Sequence, residues 1–122
     1  MNFQIAIPSK GRAGLITSHE VFKTGVIYVP ENEVKQYSIY KNKIVGIPIQ
    51  VKGITATRNW ILKNNDCNIF FLDDDFEYGG YVERTDEKYK IKRVKEESIY
   101  IKEIEKLFEI SEQSNSKIFG LF

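Results

Sequence analysis

The chain predicts an α/β domain with a mostly parallel sheet and helices on both faces, and three observations lead there. Short, nearly continuous apolar runs recur at 3–8, 25–30, 43–49 and 68–72, a length and texture suited to strands buried on both sides. Segments of helical length and pattern separate them, so the order is β-α-β-α-β-α-β, which calls for right-handed crossovers. The last of these runs, Phe70-Phe71-Leu72, breaks directly into Asp73, Asp74 and Asp75. In an open α/β sheet that break puts acids at the carboxyl edge, where ligands gather.

The first strand runs from Phe3 to Pro8 and is closed by Pro8 and the turn formers Ser9, Lys10 and Gly11. Ala13 to Phe22 is then predicted helical. Gly25 to Pro30 is the second strand, and Glu31 to Tyr40 the second helix, with acids in its first turn where the helix dipole favours them. Lys43 to Ile49 is the third strand. Thr55 or Thr57 caps a third helix running to about Asn65, with Trp60 and Ile61 facing the sheet, and Asn68 to Leu72 is the fourth strand.

Beyond the acids, Tyr81 to Arg84 and Tyr89 to Val94 flank Thr85–Lys88 as a hairpin. Glu96 to about Ser114 reads as a long amphipathic helix with Ile101, Ile104, Leu107, Phe108 and Ile110 on its inner side. Lys117 to Phe122 is a final apolar strand; either it fills the sheet of a compact fold or the chain is the first part of something larger.

At 122 residues the chain is one domain, or part of one. Eighteen Lys and Arg against seventeen Asp and Glu leave a net charge of +1, so no overall field recommends nucleic acid or a membrane, and any such contact must be local. One cysteine, Cys67, cannot form an internal disulfide, and neither a secretory signal nor a membrane-spanning run is evident. A soluble, cytoplasmic protein with no membrane partner is expected.

Three adjacent carboxylates repel one another and call for positive charge. Divalent cations that also hold substrate phosphates use one or two carboxylates, with phosphate oxygens and water completing the shell. Asp73 and Asp75, as an Asp-x-Asp pair, therefore suggest a metal and diphosphate site; a solvated acidic turn is the competing reading. Ser9, Lys10, Gly11 and Arg12 follow the first strand, so backbone amides and two cations share that edge and suit an anion, although an ordinary glycine turn explains them too. Neither a P-loop nor a dinucleotide fingerprint is present. Arg58 lies in the first turn of the third helix, where a cation opposes the dipole, which points to a phosphate or to an ion pair with one of the acids. His19 reads as a solvent-facing helix residue, Cys67 as a half-buried thiol and Trp60 as core. Lys88, Lys90 and Lys92 read as a guard against edge-to-edge pairing in preference to a phosphate-binding stripe.

Taken together, Ile5 to Arg12 with its Pro-Ser-Lys-Gly-Arg, Thr57 to Leu62, and Phe71 to Phe76 resemble, in order and spacing, nucleotide-sugar-dependent glycosyltransferases of the GT-A fold, a Rossmann-like architecture. The opening is most similar to the phage TET-associated glycosyltransferases, which add sugars to hydroxymethylated pyrimidines in viral DNA. The resemblance implies that residues 1–122 are a donor-binding domain, the N-terminal part of such an enzyme, working in the host cytoplasm if phage-encoded. It implies that Pro8, Ser9, Lys10 and Arg12 receive the base and ribose of a nucleotide sugar, a UDP-sugar foremost, and that Arg58 and Asn59 contact the nucleotide or its diphosphate. Asp73 would lie near the ribose and share the manganese or magnesium ion with Asp75, with Asp74 between them on the nucleotide side. Modified DNA is the implied acceptor. No residue after Asp75 stands out as the catalytic base. Other readings left open are a GT-A-like binding protein without transferase activity and a metal-dependent nucleotidyltransferase.

Overall fold

The computed structural model describes residues 3–85 and 88–114. Backbone contacts divide the chain into two compact units, Met1–Glu77 and Tyr78–Phe122. The first holds a four-stranded, wholly parallel sheet of β1 (Phe3–Pro8), β2 (Val26–Pro30), β3 (Ile44–Ile47) and β4 (Asn68–Phe71), in the order β3-β2-β1-β4. Connecting them are α1 (Ser18–Val21), a 3-10 helix (Glu31–Ile39) and α2 (Ile54–Lys63). The α/β class and parallel sheet expected from the apolar runs are therefore present.

Register sorts the strand residues into two faces. Ala6 pairs with Val26 and Phe71, and Tyr28 with Val45, so these side chains share one face, while Ile7 and its partner Ile27 share the other. Ala6, Val26, Tyr28 and Ile47 form one buried layer with Ile61 of α2, and Trp60 packs against it. Both α2 residues thus meet the sheet as the sequence implies. On the other face Ile5, Ile7, Ile27 and Val29 are fully buried. There the Ile7 side chain lies against Gly25, and Val34 and Glu31 of the 3-10 helix close over Gly46 so tightly that a Cβ would sit 3.1 Å from Val34. The connections β1 to β2 and β2 to β3 use this face; the return from β3 to β4 uses the other and runs in the opposite direction. Reversing both direction and face preserves one handedness, as parallel crossovers require.

Two connections depart from expectation. The predicted helix 13–22 shrinks to the four residues Ser18–Val21. Gly14 adopts φ 84°, which a helix does not accommodate, and the amides of Thr17 and Ser18 donate to the Asp74 carbonyl at 2.9 and 3.3 Å. The segment 31–39 is a 3-10 helix in place of an α-helix. Its contact residues explain this: Glu31, Val34 and Tyr37 recur every three residues, the 3-10 period, with Val34 on Gly46 and Tyr37 fully buried, whereas Ile39, off that period, is 67% exposed. The third helix begins at Ile54 with Gly53, at φ 91°, as its N-cap, in place of the expected Thr55 or Thr57.

In the second unit β5 (Gly79–Thr85) and β6 (Lys88–Val94) form the expected antiparallel hairpin, with Glu83 across from Lys90 and Tyr81 across from Lys92. Then α3 (Glu97–Gln113) buries Tyr100, Ile104 and Ser111. The Tyr100 hydroxyl donates to the Val94 carbonyl and accepts from the Gly79 amide, joining both ends of the hairpin to the helix. Ile110 is 58% exposed, not inward as the sequence reading had it. Six residues beyond Ile104, it falls well off the stripe set by 100, 104 and 111. The strand expected at Lys117 to Phe122 lies outside the described residues.

Candidate functional site

The chain leaves β1 toward β2 and β3 and comes back to β4 on the other side of β1, so the sheet order reverses between β1 and β4. Crevices open at such reversals, beyond the carboxyl ends of the strands. Here a cavity of about 600 Å³ opens at that edge. Its walls come from the ends of all four strands and from the start of α2, and they include Pro8, Ser9, Lys10, Arg58, Asp73, Asp74 and Asp75. Residues up to 67 positions apart in sequence are thereby brought to one place, while Arg12 and Asn59 do not line it.

The three acids are not equivalent. Asp74 is held on all sides: Ser9 Oγ donates to its Oδ2 at 2.7 Å, Arg12 Nε donates to the same atom at 3.1 Å, and its carbonyl accepts the Thr17 and Ser18 amides. Ser18 Oγ donates to the Asp73 carbonyl and accepts the Phe76 amide at 2.9 Å, which pins the loop on both sides. The Asp73 and Asp75 side chains are exposed and, among the described residues, have no hydrogen-bond or ion-pair partner. One carboxylate builds the turn and two project from it into the crevice.

The loop after β1 is arranged differently from its sequence reading. Its amides were expected to face an anion. Instead the Gly11 amide donates to Glu33 Oε1 at 2.6 Å, Arg12 to the Tyr37 hydroxyl at 3.0 Å and Gly14 to the Tyr40 hydroxyl at 2.6 Å. All three acceptors belong to the 3-10 segment or its C-cap. Gly11, at φ 65°, lets the backbone turn its amide toward Glu33. Ser9 donates its amide to the Tyr28 carbonyl at 2.9 Å. From this stretch Pro8, Ser9 and Lys10 line the crevice, and Lys10 brings it a cation.

Across the crevice, the Arg58 guanidinium stacks 5.6 Å from the centre of the Phe71 ring and, among the described residues, makes no ion pair. The ion pair anticipated for Arg58 belongs to Arg12 and Asp74. Lys52 also lines the crevice, giving it three cations with Lys10 and Arg58. The sequence reading missed Lys52, although a cation directly before the helix-opening Gly53 was the signal for it. It also missed Asn32, Glu33 and Tyr28, which line the crevice at the end of β2. Burial pushes the Tyr28 phenol above its ordinary pKa, against the lowering effect of its hydrogen bonds with Asn65 and Gln4.

Away from the crevice, His19 is half-buried with its ring 4.4 Å from that of Tyr40 and, among the described residues, no hydrogen-bond partner for Nδ1, in place of the solvent-facing position expected. Cys67 is exposed, not half-buried.

Oxygen ligands on two neighbouring carboxylates suit a hard divalent ion such as manganese or magnesium, provided phosphate and water complete the shell. Among the described residues no group of three or more His, Cys, Asp or Glu side chains could hold a metal unaided. Asp73 and Asp75 could hold such an ion only together with oxygens from a phosphorylated ligand and water. None of the described helices is long and apolar enough to cross a membrane. Comparison of the chain with protein-family models, curated proteins and solved structures finds no match.

Proposed function

We propose that the unit Met1–Glu77 binds a nucleotide-sugar donor, a UDP-sugar foremost, as the donor half of a metal-dependent glycosyltransferase. One observation carries this reading: at the sheet's reversal point the acid triplet turns two unpartnered carboxylates outward while the third fastens the turn. That arrangement supports a bridging ion better than a solvated acidic turn, in which nothing distinguishes the middle acid. Asp73 and Asp75 would hold manganese or magnesium, which neutralises charge on the diphosphate as it leaves. Lys10, Lys52 and Arg58 offset the remaining phosphate charge, with Arg58 kept in place by its stacking on Phe71. The apolar stretch of the wall made by Ile47, Ile49 and Val51 suits the flat face of a base.

The acceptor hydroxyl, on the family resemblance, belongs to a hydroxymethylated pyrimidine of DNA. Such a base must be flipped out and gripped by phosphate contacts, and a carboxylate base must deprotonate it. Calorimetric titration with UDP, in manganese and then in chelator, tests the donor site: tight binding only with the metal supports it. Equal affinity in both solutions sinks the metal bridge. Nucleoside triphosphates bound in preference to sugar nucleotides would favour nucleotidyl transfer instead.

A further inference from the structure

Tyr37 is the largest fully buried side chain of the first unit, yet its hydroxyl is engaged twice. It accepts the Arg12 amide at 3.0 Å and lies 2.8 Å from Ser9 Oγ, which itself donates to Asp74 Oδ2 at 2.7 Å. A carboxylate only accepts, so the direction of every proton follows. Arg12 N–H donates to Tyr37, Tyr37 O–H to Ser9, and Ser9 O–H to Asp74. Arg12 Nε then donates to that same oxygen of Asp74 at 3.1 Å and closes the circuit on the residue where it began. From the Arg12 amide to Asp74 each bond polarises the next, and the low dielectric around the buried phenol strengthens the Tyr37–Ser9 bond.

We infer that Tyr37 is a positioning residue: through Ser9 and Asp74 it locks the loop after β1 to the acid turn, and so sets where Asp73 and Asp75 point. The other ties on this turn, from the Thr17 and Ser18 amides and Ser18 Oγ, hold backbone atoms and not the Asp74 carboxylate. Asp74 receives one side-chain donor from Ser9 and one from Arg12, and Tyr37 touches both of those residues. Glu33 and Tyr40 tie down the outer part of the same loop from the same 3-10 segment, so this segment acts as a clamp with Tyr37 at its centre. Losing the Tyr37 hydroxyl therefore loosens two loops whose linked residues lie 62 and 65 positions apart along the chain. The role in metal binding rests on the donor-site reading above; the mechanical coupling does not.

Amide hydrogen exchange on the ligand-free chain tests the coupling. Thr17, Ser18 and Phe76 report on the acid turn, because their amides donate to the Asp74 carbonyl and to Ser18 Oγ. Ile27, whose amide donates to the Lys43 carbonyl at 2.9 Å, reports on the sheet. In Tyr37→Phe the three turn amides should exchange about tenfold faster with Ile27 unchanged. Acceleration confined to Arg12 overturns the inference. Should Tyr37→Phe also speed Ile27, Ser9→Ala, which keeps the buried ring and cuts the circuit at its middle, decides by the same amides. A second arm titrates manganese and UDP together: Tyr37→Phe should weaken binding about tenfold in manganese and leave it unchanged in chelator, as loss of an outer-shell support does. Unchanged affinity in manganese would mean that the residue is merely structural. If the wild-type chain itself shows no manganese dependence, the donor-site reading fails, and the exchange result still decides the coupling.

Discussion

Two cations sit on loops at the same carboxyl edge, and the structure treats them in opposite ways. Arg12, after β1, is consumed: its guanidinium pairs with Asp74 and its amide with Tyr37. Arg58, early in α2, stacks on the Phe71 ring. In the first loop the amides of Gly11, Arg12 and Gly14 and the Arg12 guanidinium find acceptors within the chain, whereas the second presents a charge with no protein counter-ion among the described residues. The acid turn repeats this division within three consecutive residues, with Asp74 satisfied and its neighbours not. Binding capacity belongs to the groups that folding leaves unsatisfied.

The division can be broken most forcefully at the acids. Replacing Asp73 and Asp75 together by Asn should reduce nucleotide affinity in manganese by about tenfold to a hundredfold, down to the level seen in chelator, with stability retained. Asp74→Asn should instead lose about 1–3 kcal/mol of stability as Ser9 and Arg12 lose their charged acceptor, while weakening binding in manganese by no more than about tenfold, as Tyr37→Phe does, and keeping the metal dependence. Titration calorimetry and chemical denaturation of the same three proteins check both halves. Asp74→Asn losing its metal dependence while remaining fully stable would erase the distinction.

The arginines give the next largest effect. Arg58→Ala should weaken UDP binding by about 1–3 kcal/mol, the scale of a lost charge-assisted hydrogen bond, with little change in melting temperature. Arg12→Ala should instead lower stability by about 1 kcal/mol or less, since its side chain is nearly half exposed and its ion pair is screened. Its effect on nucleotide affinity should be smaller than that of Arg58→Ala. Equal losses of affinity would show that both loops reach the ligand.

The smallest effect is a pH slope at Tyr28, on the crevice wall. Burial favours its neutral form in the folded chain, raising the phenol pKa. Its contribution to stability is therefore complete below the unfolded value and is lost as pH rises through the folded one. Between about pH 9 and pH 11 the wild type should lose stability more steeply than Tyr28→Phe, because the unfolded phenol titrates near 10. Denaturation curves at several alkaline pH values measure the difference, and parallel slopes would remove Tyr28 from the account.

The sheet, its four strands to within one or two residues at each end, and the acid turn were legible in the sequence because each rests on local signals. An apolar run the length of a strand, closed by Pro8 or by Asp73, states its own limits, and side-chain alternation states its faces. The same local logic failed at 13–22, where helix-compatible residues surrender their amides to Asp74, and at 31–39, where the packing of Val34 on Gly46 selects a three-residue period. It located the edge where ligands gather and identified Asp73, Asp75 and Arg58 as residues of interest. What it could not decide was which charged groups would be left over. That depends on pairings such as Arg12 with Asp74, 62 residues apart, which no local pattern encodes. An ion pair forms only where the backbone brings two groups within bonding distance, and that distance is set by the order in which β1 and β4 come to lie side by side. The sequence by itself determined the strands and the chemistry at their ends; the tertiary structure alone decided which of those charges face one another and which face the crevice.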